Sequence, residues 1–205
     1  MKTHFIFDLD DTLTNSYEFN QQMFVETFLP HISDIDEQYV RDVHFRSRGK
    51  SMHLQFEEIV SKLNLKLDPE QLVKENEELH IKNVDRIGSF ESVEELLKMF
   101  KANNKLVSLC TNRQYGSLRR ILDNNNLTHY FENIISCLDE GYEKPDPKCL
   151  LDIVNKYDLP KDNYLYFGDS KTDHDFAKNA GIDFVIIDQY LNQKKFFKVI
   201  LQAFF

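Results

Sequence analysis

Cysteine is scarce in this 205-residue chain. Cys110, Cys137 and Cys149 form an odd set with no CxxC spacing. A disulfide framework or a thiolate zinc site is therefore not expected, and the scarcity fits a reducing compartment. No stretch reaches the ~18 apolar residues of a membrane helix. The first apolar run meets Asp8 directly after Phe7, with no secretory leader pattern before it. These absences predict a soluble, cytoplasmic protein with no membrane partner. Basic charge is also short, with 25 Lys and Arg against 34 Asp and Glu and a formal net charge of -9. Nucleic acid is held mainly by clustered cations, so it is not an expected partner. Internal repeats and low-complexity segments are missing too.

What is present is ample for a packed core, since 41% of the chain is hydrophobic. Short β-branched or aromatic runs recur at residues 4–7, 105–110, 133–136, 163–167 and 183–187, and helical patterns separate the later ones. Strands alternating with helices predict an α/β fold: a parallel, Rossmann-like sheet covered by helices on both faces, a three-layer arrangement. Runs such as "KLVSLC" and "DFVII" are continuously apolar, as strands buried on both faces are.

Residues 14–86 break the alternation and read as helices at 18–28, 36–44, 52–63 and 69–83, with Asp68 as N-cap and Pro69 at the first helical position of the last. The expected organisation is a core domain of residues 1–14 and 87–205 with a helical domain of residues 15–86 inserted in it. Gly88, before a helix expected in "SFESVEELLKMFK", is either a return hinge or an ordinary turn glycine. The C-terminal "QKKFFKVILQAFF" reads as a final amphipathic helix on the sheet in preference to a membrane-surface helix.

The first strand ends in "DLDDTL", which places Asp8, Asp10 and Asp11 together. Like charges 4 Å apart repel by ~4 kcal/mol at an effective dielectric of 20. Such acids must point into water, cap a helix or hold a cation. Ligands of open α/β sheets bind at the carboxyl ends of the strands. There the sequence sets Thr111 and Asn112 after the second strand, Asp169 and Asp173 after the fourth, and Lys144 as the one base, in the loop beyond the third. Two acidic pairs converging on one crevice call for a hard divalent cation on oxygen ligands.

The set "DLDDTL", "CTNR", "EKPDP" and "GDSKTDHDFAKNAG", in this order, resembles the four motifs of the haloacid dehalogenase-like hydrolases. The resemblance implies an Mg²⁺-dependent phosphoric monoester hydrolase acting on a small phosphorylated metabolite. It makes Asp8 the nucleophile that becomes an aspartyl-phosphate and Asp10 the general acid and then base. Thr111 and Asn112 would bind the phosphoryl group, and Lys144 would steady nucleophile and phosphate. Asp169 would hold the metal with the Asp8 side chain and the Asp10 main-chain carbonyl, while Asp173 would orient a metal-bound water or Lys144. Thr12 matches the hydroxyl closing the first motif, a role compatible with a local turn hydroxyl. Gly181 reads as a helix C-cap and Cys110 as a buried strand residue.

An insertion between the first two motifs resembles the helical cap of phosphoglycolate phosphatase-like and β-phosphoglucomutase-like members. Within it "HFRSRGKS" gathers Arg46, Arg48 and Lys50, a loop expected either to reach the leaving group or to be a solvated basic turn. Dehalogenases of the family lack the second aspartate of the first motif, so Asp10 points to phosphate chemistry. The mutases carry a histidine where this chain has Asn20. A phosphosugar mutase and a non-catalytic phosphate-binding or signalling module remain the alternatives. A monomer or weak homodimer is expected.

Overall fold

The computed structural model of the chain describes residues 2–32, 34–47, 50–187 and 200. Five strands, β1 (His4–Phe7), β2 (Leu106–Thr111), β3 (Asn133–Ser136), β4 (Tyr164–Gly168) and β5 (Asp183–Ile186), form one sheet in the order β3-β2-β1-β4-β5. Every pairing is parallel. The central place of β1 explains its composition. Side chains alternate across a strand, so Phe5 and Phe7 enter one core cluster while Ile6 enters the other. The first cluster takes in α5 (Val93–Ala102) and α6 (Tyr115–Asn124), and the second takes in α7 (Lys148–Tyr157) and α8 (Lys171–Ala180). Phe5 stacks on Phe100 and Phe7 on Phe167, with centroids 4.2 and 4.7 Å apart. Burying each ring contributes roughly 1.5–3 kcal/mol.

Between β1 and α5 the chain forms α1 (Tyr17–Phe28), α2 (Glu37–Arg46), α3 (Met52–Lys62) and α4 (Pro69–Asn83). These helices bury an apolar cluster of their own, with Phe24, Phe28, Val43, Phe56 and Ile59 at its centre. Asp68 caps α4 by accepting the Glu70 N–H at 3.0 Å, with Pro69 in the first turn. Asp36, expected as the first residue of a helix, lies outside α2 as its N-cap and accepts the Tyr39 N–H.

The outgoing and returning connections lie side by side. The Asn15 N–H donates to the Gly88 carbonyl at 2.9 Å and the Phe90 N–H to that of Leu13 at 3.0 Å. Extended pairing holds this segment, so α5 begins four residues later than the helical pattern from Ser89 suggests. Thr111, expected just beyond a strand, is instead the last residue of β2. Gly181 ends α8 in the left-handed conformation, φ 70°. Among the described residues no helix is long and apolar enough to cross a membrane. The expected C-terminal helix lies outside the described residues, apart from Ile200.

Candidate active site

Each strand of the central trio delivers a polar group to one crevice, because parallel strands in register end together. Phe7 pairs with Leu109 on one side and Phe167 on the other. Asp8, Thr111 and Asp169 consequently emerge at the same level and line a cleft of about 370 Å³ that α1–α4 roof over.

Lys144 is the hub of the cleft floor. Its side chain is only 3% exposed. Its Nζ donates to Asp8 Oδ1 at 2.7 Å, Asp173 Oδ1 at 2.9 Å and the Tyr166 hydroxyl at 2.6 Å. Three donors and three acceptors satisfy a buried ammonium, which is what makes its burial tolerable. Burial alone would depress the Lys144 pKa, and the Asp173 and Asp8 carboxylates outweigh it and raise it. Burial dominates at Asp8, where it pushes the carboxyl up to about 7 against the pull of Lys144, with Asp173 and Asp10 adding to the rise.

Asp173 is fully committed. Its Oδ1 also accepts the Tyr166 hydroxyl at 3.0 Å, and its Oδ2 accepts the N–H and hydroxyl of Ser170, closing the capping box of α8. Asp8, Asp169 and Asp173 bring carboxylate oxygens within 4.8 Å of one another. With Asp173 occupied by Lys144, Tyr166 and its helix end, Asp8 and Asp169 are the carboxylates suited to a hard cation, and the all-oxygen donor set fits Mg²⁺.

Asp10 has a different partner. Arg113 Nε donates to its Oδ2 and Nη2 to its Oδ1, both at 2.8 Å, in a fork-to-fork pair. Asn20 Nδ2 adds a bond to Oδ1 at 3.2 Å. Burial pushes the Asp10 carboxyl up, and Arg113 overrides it, with Ser16 and Asn20 helping, to bring it down to about 2. Lys144 is therefore not the one base at the strand ends, as the sequence reading had it. Arg113 stands two residues beyond β2, inside the "CTNR" motif, and its signal was a cation adjoining the strand-end Thr111 and Asn112.

The remaining expected site residues take varied places. Thr111 Oγ1 accepts the Arg113 N–H at 3.2 Å, and Asn112 Oδ1 accepts the Lys144 N–H at 3.0 Å, which ties the lysine loop to the end of β2. Thr12 is fully buried, its hydroxyl has no hydrogen-bond partner, and it does not line the cleft. Lys50 lines the cleft and pairs with Glu58 at 3.5 Å. Arg46 does not line it, and its Nε donates to the Asp42 carbonyl within α2. Arg48 lies outside the described residues. Asp11, the third acid of the first motif, accepts the Ser16 N–H just before α1.

Sequence reasoning assigned no site role to Arg113, Tyr166, Glu77 or His80. Glu77 on α4 accepts the N–H and hydroxyl of Ser117 on α6. His80 Nε2 lies 3.2 Å from Asn20 Oδ1, and burial depresses its pKa to about 3, so the ring is neutral.

A parallel sheet with carboxylates, a hydroxyl and a lysine gathered at the carboxyl ends of its strands, beneath a helical roof, is a Rossmann-like α/β architecture. Solved structures share it. A Bacteroides fragilis protein described as a haloacid dehalogenase-like hydrolase superposes with TM-score 0.78 at 22% identity, covering 97% of this chain and 93% of its own. A "predicted phosphoglycolate phosphatase" from Haemophilus somnus gives TM-score 0.80 at 18% identity, covering 98% and 97%. In sequence, the phosphoglycolate phosphatase of Mesorhizobium japonicum is 30% identical over 99 residues, 48% of this chain and 44% of the relative. The matches span less than half the length of such curated relatives. Residues 5–187 match the haloacid dehalogenase-like hydrolases, and the chain belongs to that family.

Proposed function

We propose that the protein is an Mg²⁺-dependent phosphatase that hydrolyses a small phosphorylated metabolite through an aspartyl-phosphate at Asp8, in the cytoplasm, with residues 15–86 as its cap. The observation that carries this reading is the Asp8–Lys144–Asp173 chain at the carboxyl end of β1, flanked by Asp10 in its arginine fork. Asp8 and Asp169, with the Asp10 carbonyl, would hold Mg²⁺, whose charge offsets that of the phosphate oxygens.

Lys144 fixes Asp8 through Oδ1 and leaves the second carboxylate oxygen to attack phosphorus. Asp10, ionised in the Arg113 fork of the free enzyme, would enter the cycle by accepting a proton from the water that splits the acyl phosphate and would pass that proton to the leaving oxygen of the next ester. The Thr111 hydroxyl and the Asn112 amide face the transferred group. The roof of α1–α4 keeps bulk water from the intermediate and limits the substrate to small molecules. Curated relatives named phosphoglycolate phosphatase support the substrate class.

The test is hydrolysis of p-nitrophenyl phosphate. Activity is expected with Mg²⁺, to vanish in EDTA and to return when Mg²⁺ is restored, while Asp8→Asn folds and does not turn over. Undiminished turnover in excess chelator overturns the metal assignment. Asp8→Asn activity within about tenfold of wild type, ~1.4 kcal/mol, overturns the nucleophile.

A further inference from the structure

Arg113 has more bonds than an isolated ion pair needs. Besides the fork on Asp10, its Nη2 donates to Asn20 Oδ1 at 2.6 Å and its Nη1 to the Ser117 hydroxyl at 3.3 Å. The side chain is 6% exposed against 26% for Asp10. The guanidinium is thus a fixed plane. It is bolted to α6 through Ser117 and to α1 through Asn20, and the carboxylate it grips is the part that faces the cleft. Ser117 is itself held by Glu77 of α4. A planar fork matches both oxygens of a carboxylate at once, so it sets the plane and direction of the group as well as its place.

We propose that Arg113 is a positioning residue for Asp10, aiming its carboxylate at the water that hydrolyses the aspartyl-phosphate and so governing the second half of the reaction. This rests on the aspartyl-phosphate reading above. In that half, water oxygen bonds to phosphorus and the bond from phosphorus to the Asp8 oxygen breaks. One water proton passes to Asp10, Asp8 is restored as carboxylate, and inorganic phosphate leaves. Water is a poor nucleophile unless its proton has an acceptor in line, so this step depends on where Asp10 points. With p-nitrophenyl phosphate the first half depends little on Asp10, because the phenolate leaves without a proton. Loss of Arg113 therefore slows one half-reaction and spares the other.

The experiment is rapid-quench kinetics with ³²P-labelled p-nitrophenyl phosphate and Mg²⁺ on wild type, Arg113→Met, Arg113→Lys and Asp8→Asn. Arg113→Met should release about one equivalent of p-nitrophenol per enzyme in a burst, then turn over about 100-fold more slowly than wild type, the scale of one general-base contribution. Labelled protein should accumulate in step with the burst. Arg113→Lys keeps the charge and loses the fork, so its label should decay at a rate between the two. Should Arg113→Met fail to fold, the decay in Arg113→Lys alone decides the matter. Label that forms and decays at the wild-type rate overturns the positioning role and leaves the aspartyl-phosphate intact. A variant slowed equally in both halves, with no burst, reduces Arg113 to a structural residue. Label that forms equally in Asp8→Asn overturns the underlying reading instead.

Discussion

Asp173 lies so close over Gly168 that a Cβ added to the glycine would fall 2.4 Å from both Cβ and Cγ of the aspartate. Neither atom is the far end of a flexible chain, so any side chain at 168 must push α8 or turn Asp173 away. Asp173 holds Lys144 and Lys144 holds Asp8. Gly168→Ala should therefore lower kcat on p-nitrophenyl phosphate by at least about tenfold, ~1.4 kcal/mol, with a reduced melting temperature. An alanine variant with wild-type kcat and melting temperature would show that the aspartate has room to move. This chain of contacts also shows what a single sequence displays at the residue scale. Asp8, Lys144 and Asp169 stand out because each follows or adjoins a strand end and carries the right chemistry. Arg113 stood in the same motif as Thr111, yet its partner Asp10 is 103 positions away. Which cation reaches which acid is settled by the register of β1 against β2, and composition and spacing do not encode that.

At the scale of elements, polar contacts join the helices of residues 15–86 to the core through Asn20 of α1 on Asp10 and Arg113, Glu77 of α4 on Ser117 of α6, and Ser51, the N-cap of α3, on Glu143. The limits of α4 were legible because Asp68 and Pro69 form a local start signal. The start of α5 was not, since Ser89 obeys a pairing with Thr14, far off in the chain. The basic loop divides in a similar way. Lys50 lines the cleft, whereas the Arg46 side chain turns back on its own helix. Lys50→Ala should raise KM several-fold, roughly 1 kcal/mol of binding, on the best ester in a panel of phosphorylated metabolites. Turnover of p-nitrophenyl phosphate should change little, since that substrate gives the roof little to hold. Arg46→Ala should leave both unchanged. Equal KM values for Lys50→Ala and wild type would make the lysine a solvated rim charge, paired only with Glu58.

The response of the whole molecule to acid follows from groups that burial keeps neutral. His4 sits in the central strand with no exposed surface, its Nε2 2.8 Å from the Ser108 hydroxyl and its Nδ1 without a partner. Burial lowers its pKa to about 4, and the Glu132 charge only partly offsets this. In the unfolded chain an ordinary histidine titrates near 6.5. Below that pH the unfolded state binds the proton and the folded state resists it, so the stabilisation present above pH 6.5 is lost as the pH falls towards 4. By pH 5 the loss from one such histidine is ~2 kcal/mol, from 1.36 kcal/mol per pH unit. His80, depressed to about 3, acts in the same sense. Asp8, raised to about 7, acts in the opposite sense, because its folded form takes up a proton first. Asp10, lowered to about 2, keeps its contribution until the pH falls below the ordinary carboxylate range. The His4 share is isolated by comparison with His4→Gln, whose amide can meet Ser108 and cannot protonate. Urea unfolding at pH 7 and pH 5 should show wild type losing ~2 kcal/mol more than His4→Gln over that interval. Parallel losses in the two proteins would mean that the buried strand accepts the proton after all, with Ser108 or Glu132 compensating the charge.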